Sequence, residues 1–409
     1  MEIKKGYKQA EVGVIPMDWD VKNLLDNFTL KARIGWQGLT TEEYLSTGDY
    51  GLVTGTDFRD GYIDWDNCVY VEKIRYVQDK NIQLKVNDVL VTKDGTIGKV
   101  AFVNKLPNPT TLNSGIFVVR PKNPNIDERF FYYILMSSYF DIFLSKITAG
   151  STITHLYQKD FSTFNFILPP RFEQNAIAQV LSDTDLYIKS LQKLIEKKKS
   201  IKQGAMQDLL KPKDGWETKT IKEVATYRRG SFPQPYGLDK WYDDISGFPF
   251  VQVFDVDDNN RLKDETKRYI SKAAQQMSVF VKKGSIILTI QGSIGRIALT
   301  QYDAYVDRTL LIFESFKIPF NSFFFMISIW RIFEIEKELA PGGIIKTITK
   351  EALSSFKISY PKIIEQERIA QILSDIDIEV HALEEKLKKA KSIKDGMLQN
   401  LLTGKIRLI

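Results

Sequence analysis

The sequence predicts an α/β protein built as a tandem repeat, with two strand-rich globular zones joined by two long helices that pair as an antiparallel coiled coil. Two observations carry most of this. The chain contains its own sequence twice, and each copy ends in a long stretch whose apolar residues recur every three to four positions. A third observation is the series of short β-type runs, punctuated by turn residues, ahead of each helix; these make the zones α/β.

The repeat is read directly from the residues. Gly95-Thr96-Ile97-Gly98-Lys99-Val100 returns as Gly292-Ser293-Ile294-Gly295-Arg296-Ile297, 197 residues later, and Trp19 returns as Trp216 at the same offset. The segment Glu173-Gln174-Asn175-Ala176-Ile177 through Asp183 returns as Glu365-Gln366-Glu367-Arg368-Ile369 through Asp375, and Lys199-Ser200-Ile201-Lys202 returns as Lys391-Ser392-Ile393-Lys394, both 192 residues on. The second copy is therefore five residues shorter between the glycine motif and the Glu-Gln motif. The repeating unit is far too long for a solenoid. Agreement is close in the helices and poor in the globular zones.

Each element follows from local pattern. The runs Asp88-Val89-Leu90-Val91-Thr92 and Ser285-Ile286-Ile287-Leu288-Thr289-Ile290 predict strands. Helices are entered after Leu168-Pro169-Pro170 and Tyr360-Pro361, proline being a start signal. The expected divisions are a first zone over 1–170, a helix over 171–210, a second zone over 211–362 and a helix over 363–409. In the first helix the stripe is Ile177, Leu181, Thr184, Ile188, Leu191 and Ile195. In the second it is Ile369, Leu373, Ile376, Val380, Leu383, Leu387 and Ala390. Alternating steps of four and three call for a left-handed coiled coil. Only Lys211-Pro212-Lys213-Asp214-Gly215 separates the first helix from the second zone, which then feeds the second helix. That connectivity makes the pair antiparallel and predicts a dumbbell with pseudo-two-fold symmetry.

Composition narrows the class. The 409 residues are 43% hydrophobic and 26% charged, as in a soluble globular protein. No stretch approaches the roughly 20 apolar residues of a membrane span, Phe323–Trp330 being the nearest. The opening Met1-Glu2-Ile3-Lys4-Lys5 leads into polar sequence, so a cytoplasmic address is expected. The single cysteine, Cys68, excludes an internal disulfide and a cysteine-built metal site. A net charge of +6 agrees with a polyanionic partner, although 51 acidic residues accompany the 57 basic ones.

Catalytic patterns are missing. Gly95–Lys99 has two residues between its glycines and Val100 after the lysine, so it reads as a tight turn and not a phosphate loop. An Asn-Pro-Pro-aromatic methyltransferase loop is absent; Leu168-Pro169-Pro170-Arg171 is not one. A nuclease centre on Asp88, Asp94 and Lys99 would be dead in its twin, which carries Gly284 and Gln291 near the matching places; the carboxylates read as surface groups. The two histidines, His155 and His381, have no second histidine or cysteine nearby in sequence, so neither a metal site nor an acid–base pair is expected.

A helix of about 37 residues is about 55 Å long, against about 34 Å for one turn of B-DNA. Such a spacer suits two readers on half-sites more than a turn apart. Because the zones differ in sequence, the target should be split and asymmetric. Candidate DNA-binding residues are Lys31, Arg33, Trp36 and Gln37 in the first zone, and Arg228, Arg229, Ser231, Gln234 and Tyr236 in the matching loop of the second. Gln252 and Gln291 at strand ends, and Lys99 and Arg296 beside the glycine turns, complete the set.

Three further segments stand out: Tyr7-Lys8-Gln9-Ala10-Glu11-Val12-Gly13-Val14-Ile15-Pro16-Met17-Asp18-Trp19, Pro169-Pro170 followed by Glu173-Gln174 with its echo Glu365-Gln366, and the ending Leu401-Leu402-Thr403-Gly404-Lys405. They carry a resemblance to the specificity subunits of type I restriction-modification systems. It covers essentially the whole chain. It implies a non-catalytic subunit with two target-recognition domains, binding double-stranded DNA and assembling with two methyltransferase subunits and with motor-nuclease restriction subunits. The methyl donor and ATP would then be handled by those partners, with no cofactor here. No base-reading residue can be carried over. The alternatives are a self-sufficient methyltransferase or nuclease, and a coiled-coil adaptor that binds two proteins and no DNA.

Overall fold

The computed structural model describes residues 3–35, 38–148, 155–339 and 350–408. It comprises two compact units: Met1–Lys193 together with Glu384–Ile409, and Leu194–Leu383. The two longest helices, Arg171–Leu209 and Ile363–Leu401, each run for 39 residues and each contribute to both units. They are called the central and terminal helices below.

The first unit is organised on a six-stranded sheet in the order Phe28–Lys31, Ile116–Pro121, Val89–Thr92, Val100–Phe102, Tyr62–Ile63, Phe58–Arg59. Its third strand shows why the sequence folds this way. Val89 and Val91 enter one core with Phe28, Phe117 and the helix Glu128–Leu135, while Leu90 faces a second core with Val53, Leu112 and Val118. A strand buried on both faces has no polar positions, which is why this run reads as continuously apolar. A smaller sheet, Thr110–Leu112, Gly51–Val53 and Val69–Tyr70, packs beside it, its first two strands parallel.

The second unit repeats this plan. Ala225–Arg229, Leu310–Phe316, Ile286–Thr289 and Ile297–Leu299 form an antiparallel sheet in that order. Here Ile286 and Leu288 face one core and Ile287 the other. The companion sheet again contains a parallel pair, Phe248–Val251 with Ala304–Val306. Helix Ser322–Leu339 covers the first core, and no helix among the described residues is long and apolar enough to cross a membrane.

Inside each unit the long helices run antiparallel, because partner numbers fall as residue numbers rise. In the first unit Glu173 meets Arg407, Thr184 meets Met397 and Asp185 meets Lys394; in the second, Lys198 meets Glu379 and Lys202 meets Asp377. Asp185–Lys394 and Asp377–Lys202 are the same ion pair at the same 192-residue offset, each 2.6 Å long and largely shielded. Burial pushes the Asp377 carboxyl up against the pull of Lys202. The seam residues expected from the sequence are buried (Ile177, Leu181, Leu191, Ile195, Ile369, Leu373, Val380, Leu383, Ala390) or half-buried (Thr184, Ile188, Ile376, Leu387). At its N-terminal end each stripe merges with a globular core: Ile177 and Leu181 in the first, Ile369 and Leu373 in the second.

The Glu-Gln motif is the joint between helix and globular part. Gln174 is buried, accepts the Asp127 N–H at 2.9 Å and donates to the Pro169 and Asn125 carbonyls. Asp127 in turn caps helix Glu128–Leu135 through Phe130 N. Gln366 does the same work, accepting from Asn321 N at 3.0 Å and donating to the Pro361 carbonyl, while Asn321 accepts from Phe324 N. The glutamates differ. Glu173 is fully buried and accepts from Trp19 Nε1 and twice from Arg407, which also grips Asp18. Glu365 is half-buried, and no tryptophan or arginine pairs with its carboxylate among the described residues.

Candidate nucleic-acid interface

In each unit three loops meet at one edge of the sheets, and backbone hydrogen bonds tie them together. In the first unit Asn113 N donates to the Val53 carbonyl at 2.9 Å, and Lys93 N to the Gly115 carbonyl at 2.8 Å. These bonds bring together the loops after Val53, after Thr92 and after Leu112. In the second unit Asp307 N donates to Val251 at 3.0 Å and Ile290 N to Thr309 at 3.1 Å, joining the loops after Val251, Thr289 and Val306. A β-strand end with several loops converging on it presents side chains outward on a rigid base, the usual arrangement of a recognition surface.

The glycine motif supplies the loop after Thr92 and its twin after Thr289. Gly95, Gly98, Gly292 and Gly295 all have positive φ, between 68° and 87°. A side chain at Gly98 would collide with Leu144, and one at Gly295 with Phe333, so glycine is required twice over. Thr92 and Thr289 staple the turns in the same way, each donating to the carbonyl of Thr96 or Ser293 and accepting from Lys99 N or Arg296 N. The tight-turn reading is therefore what the backbone adopts. The loops after Val53 and Val251 match as well: Thr54 N and Gln252 N are capped by the buried Asp57 and Asp255, whose carboxyls burial pushes up.

On this common frame the side chains differ. The first unit presents Thr54, Thr56, Asp94 and the pair Asn113-Ser114, with Asn113 Nδ2 donating to the Tyr44 hydroxyl. Asp94 also pairs with His155 Nδ1. Sequence spacing could not bring these two together, since 61 residues separate them, and an acid–histidine pair was not expected. The second unit presents Gln252, Gln291 and Asp307-Arg308, reached also by the segment after Arg229. Gly230 N donates to Leu310 and Ser231 N to Val306, and any side chain at Gly230 would run into the Val306 and Asp307 carbonyls. Tyr236 then donates to Asp307 Oδ2 at 3.1 Å and accepts from Gln252 Nε2 at 2.6 Å. Burial, followed by the Asp307 charge, pushes the Tyr236 phenol well up, so it remains a donor.

The sequence-derived candidates divide accordingly. Arg229, Ser231, Tyr236, Gln252 and Gln291 come to the edge of the second unit. Gln234 is exposed on the same segment. Arg228 lies on the strand before it, 3.9 Å from Glu314. Lys31 and Lys99 are exposed. Arg296 is held by Asp258 at 2.8 Å and the Val256 carbonyl. Trp36 and Gln37 lie outside the described residues. Two expectations are corrected. Arg33 is 2% exposed and spends its guanidinium on the Leu112 carbonyl, Thr111 and Gln78, so it buttresses the fold and burial lowers its pKa. Asp88 is no surface carboxylate: it is buried in a bidentate pair with Arg120, at the opposite end of its strand from Asp94. The nuclease-like trio is thus dispersed, and no cluster of potential metal ligands occurs among the described residues. Arg308 was missed, because an isolated arginine after a strand has no sequence signature.

A scan against protein families matches the type I restriction modification DNA specificity domain twice, over residues 16–202 and 213–391. The chain belongs to this family. It is a DNA specificity subunit, the recognition component of a type I restriction-modification system and not its catalytic part. The two matches divide the subunit as its internal repeat does. Among relatives, the type I restriction enzyme MjaVIII specificity subunit of Methanocaldococcus jannaschii is 25% identical over 99% of this chain and 97% of its own. The EcoBI specificity subunit of Escherichia coli is 23% identical over 78% of this chain and 73% of its own. In fold, the specificity subunit resembles the crystal structure of the S subunit from M. genitalium, with a TM-score of 0.64 over 98% of both chains at 16% identity.

Proposed function

We propose that the chain reads a split, asymmetric DNA sequence, one half with the loop edge of each unit, and serves as the scaffold on which methyltransferase and restriction subunits assemble. The observation that carries this reading is the loop edge built twice on one backbone plan with different side chains. Identical frames suit two approaches to the same kind of duplex, and different side chains suit two different half-sites.

The scaffold role draws on a second repeated feature. Phe172, Val180, Leu186 and Ile393 in the first unit, and their twins Ile364, Ile372, Ile378 and Ile201 in the second, are exposed apolar residues on the long helices. Single exposed apolar residues are ordinary, but here four positions are exposed and apolar in both copies of the repeat. We assign these matched sets to two copies of one partner, the methyltransferase subunit, with the methyl donor held there and ATP held by the restriction motor. A cytoplasmic location fits such an assembly.

The test is selection of bound duplexes from a random pool by the complex assembled on this chain, then on a chimera whose residues 215–360 come from a related subunit. Two conserved sequence blocks separated by an unconserved gap are expected, with the chimera changing one block only. A change in both blocks would refute one reader per unit, and recovery of no sequence preference would refute DNA reading.

A further inference from the structure

We propose that Arg308 is the residue with which the second unit reads a guanine, and that Tyr236, Asp307 and Gln252 position it. The inference rests on the DNA-reading role proposed above and names the chemistry of one contact within it.

Two side chains that looked like readers from the sequence, Tyr236 and Gln252, are already engaged with each other and with Asp307. The Asp307 carboxylate accepts from Thr309 N and Oγ1 on one oxygen and from Tyr236 on the other. The Tyr236 hydroxyl is used both as donor and as acceptor. What this network holds in place is the tyrosine ring, and over that ring stands the Arg308 guanidinium, its central carbon 5.2 Å from the ring centroid. Arg308 is exposed, and among the described residues no carboxylate or carbonyl takes its N–H groups. A guanidinium resting on an aromatic face has fewer rotamers to lose on binding, while its planar fork of donors stays free. That fork matches the O6 and N7 acceptors of guanine.

Two features favour a base edge over a phosphate. The Arg308 loop is the middle one: it is hydrogen-bonded to Val251 on one side and to Ile290 and Gly230 on the others, so it stands where a groove floor would come and not at the rim. The matching place in the first unit, following strand Thr110–Leu112 as Arg308 follows Ala304–Val306, is held by Ser114. Contacts to a uniform phosphate backbone would be shared by two units of one plan. A cation present in one unit and replaced by a short hydroxyl in the other is what different half-sites require.

The test uses the assembled complex and duplex selection with Arg308→Ala, Arg308→Lys and Tyr236→Ala. Arg308→Ala should lose the preference for guanine at one position of one half-site, weakening the preferred duplex by about 5- to 150-fold relative to one with that base changed. Arg308→Lys keeps the charge but loses the fork and should also lose the preference. Tyr236→Ala should broaden the same position and no other. Uniform weakening across all sequences, rescued by lysine and with a salt slope reduced by about one, would make Arg308 a phosphate contact and overturn the proposal. An unchanged selected sequence for Arg308→Ala would overturn it as well. If the unaltered complex selects nothing, the failure belongs to the broader DNA-reading role.

Discussion

The buried glutamine joint and the loop edge are both built twice, and they obey opposite rules. At the joint, Gln174 and Gln366 make the same bonds to a proline carbonyl and to the N–H of a helix-capping residue. At the edge the backbone bonds agree, but Asp94 is replaced by Gln291, Ser114 by Arg308 and Thr54 by Gln252 from one copy to the other. The joint has no freedom because its polar groups are sealed from water, where an orphaned donor or acceptor is costly. At the edge these side chains are exposed or half-buried, so they can change without leaving a polar group sealed from water. Stability and specificity are thus kept in separate parts of each unit.

The largest effect should come from breaking the joint. Gln174→Leu leaves the Asp127 N–H and the Pro169 carbonyl unpaired and should cost about 2–5 kcal/mol, the buried unsatisfied groups costing about 1–3 kcal/mol each. Gln366→Leu, with one bond fewer, should cost somewhat less. Thermal or denaturant unfolding measures both, and a loss under 0.5 kcal/mol would show that the joint is not where the units are secured.

Next come the twin ion pairs between helices. Lys394→Met leaves Asp185 shielded and without its cation, as Lys202→Met does for Asp377. Each should cost about 1–3 kcal/mol, below the 3–5 kcal/mol of fully buried pairs because both sites retain some exposure. Lys394→Met should be the milder of the two, because Asp185 keeps the hydroxyl donors of Tyr62 and Tyr133 whereas Asp377 is given only Lys202 as a donor among the described residues.

At the edge the pattern should invert. Gln291→Ala and Arg229→Ala should shift stability by less than about 0.5 kcal/mol, yet weaken DNA binding. For Arg229→Ala the log–log salt slope should fall by about 0.9 if one phosphate contact is lost. Arg228→Ala should do less, its guanidinium lying near Glu314. A salt series on the three variants decides, and an unchanged slope for Arg229→Ala would remove it from the interface.

The smallest effect concerns acid. Hydrogen bonds from Arg407 hold the Asp18 carboxyl below its ordinary value. Its contribution is therefore present above about pH 4 and lost as pH falls through the depressed value. Asp18→Asn should flatten that part of the stability profile of the first unit and leave neutral behaviour almost unchanged.

Much of this was legible in the sequence, because repeats and helices are local signals. The offset of 192 residues that aligns Glu173-Gln174 with Glu365-Gln366 also aligns the two ion pairs, and the residues at alternating four-and-three spacing are buried or half-buried. Reading residues were harder because their role depends on distant partners. Arg33 looked like a loop cation until its acceptors, 78 and 79 residues away, came into view. Trp19 and Trp216 look like twins, yet one is sealed over Glu173 and the other half-exposed, since only the first meets Arg407.

Arg407 has a further consequence, for the order in which the protein forms during synthesis. The second unit is a single continuous stretch, Leu194–Leu383, so all of its contacts can be made once that stretch has left the ribosome. The first is assembled from Met1–Lys193 and Glu384–Ile409, and Glu173 has no Arg407 to pair with until that residue emerges. Synthesis proceeds at about 5–20 residues per second, so the part of the chain made first waits on the order of 10–50 seconds for its closing piece. During that interval Trp19, Glu173 and the faces of Ile177 and Leu181 lack their mates. A chain lacking residues 384–409 would therefore leave the earlier-made unit, and not the later one, without part of its sequence.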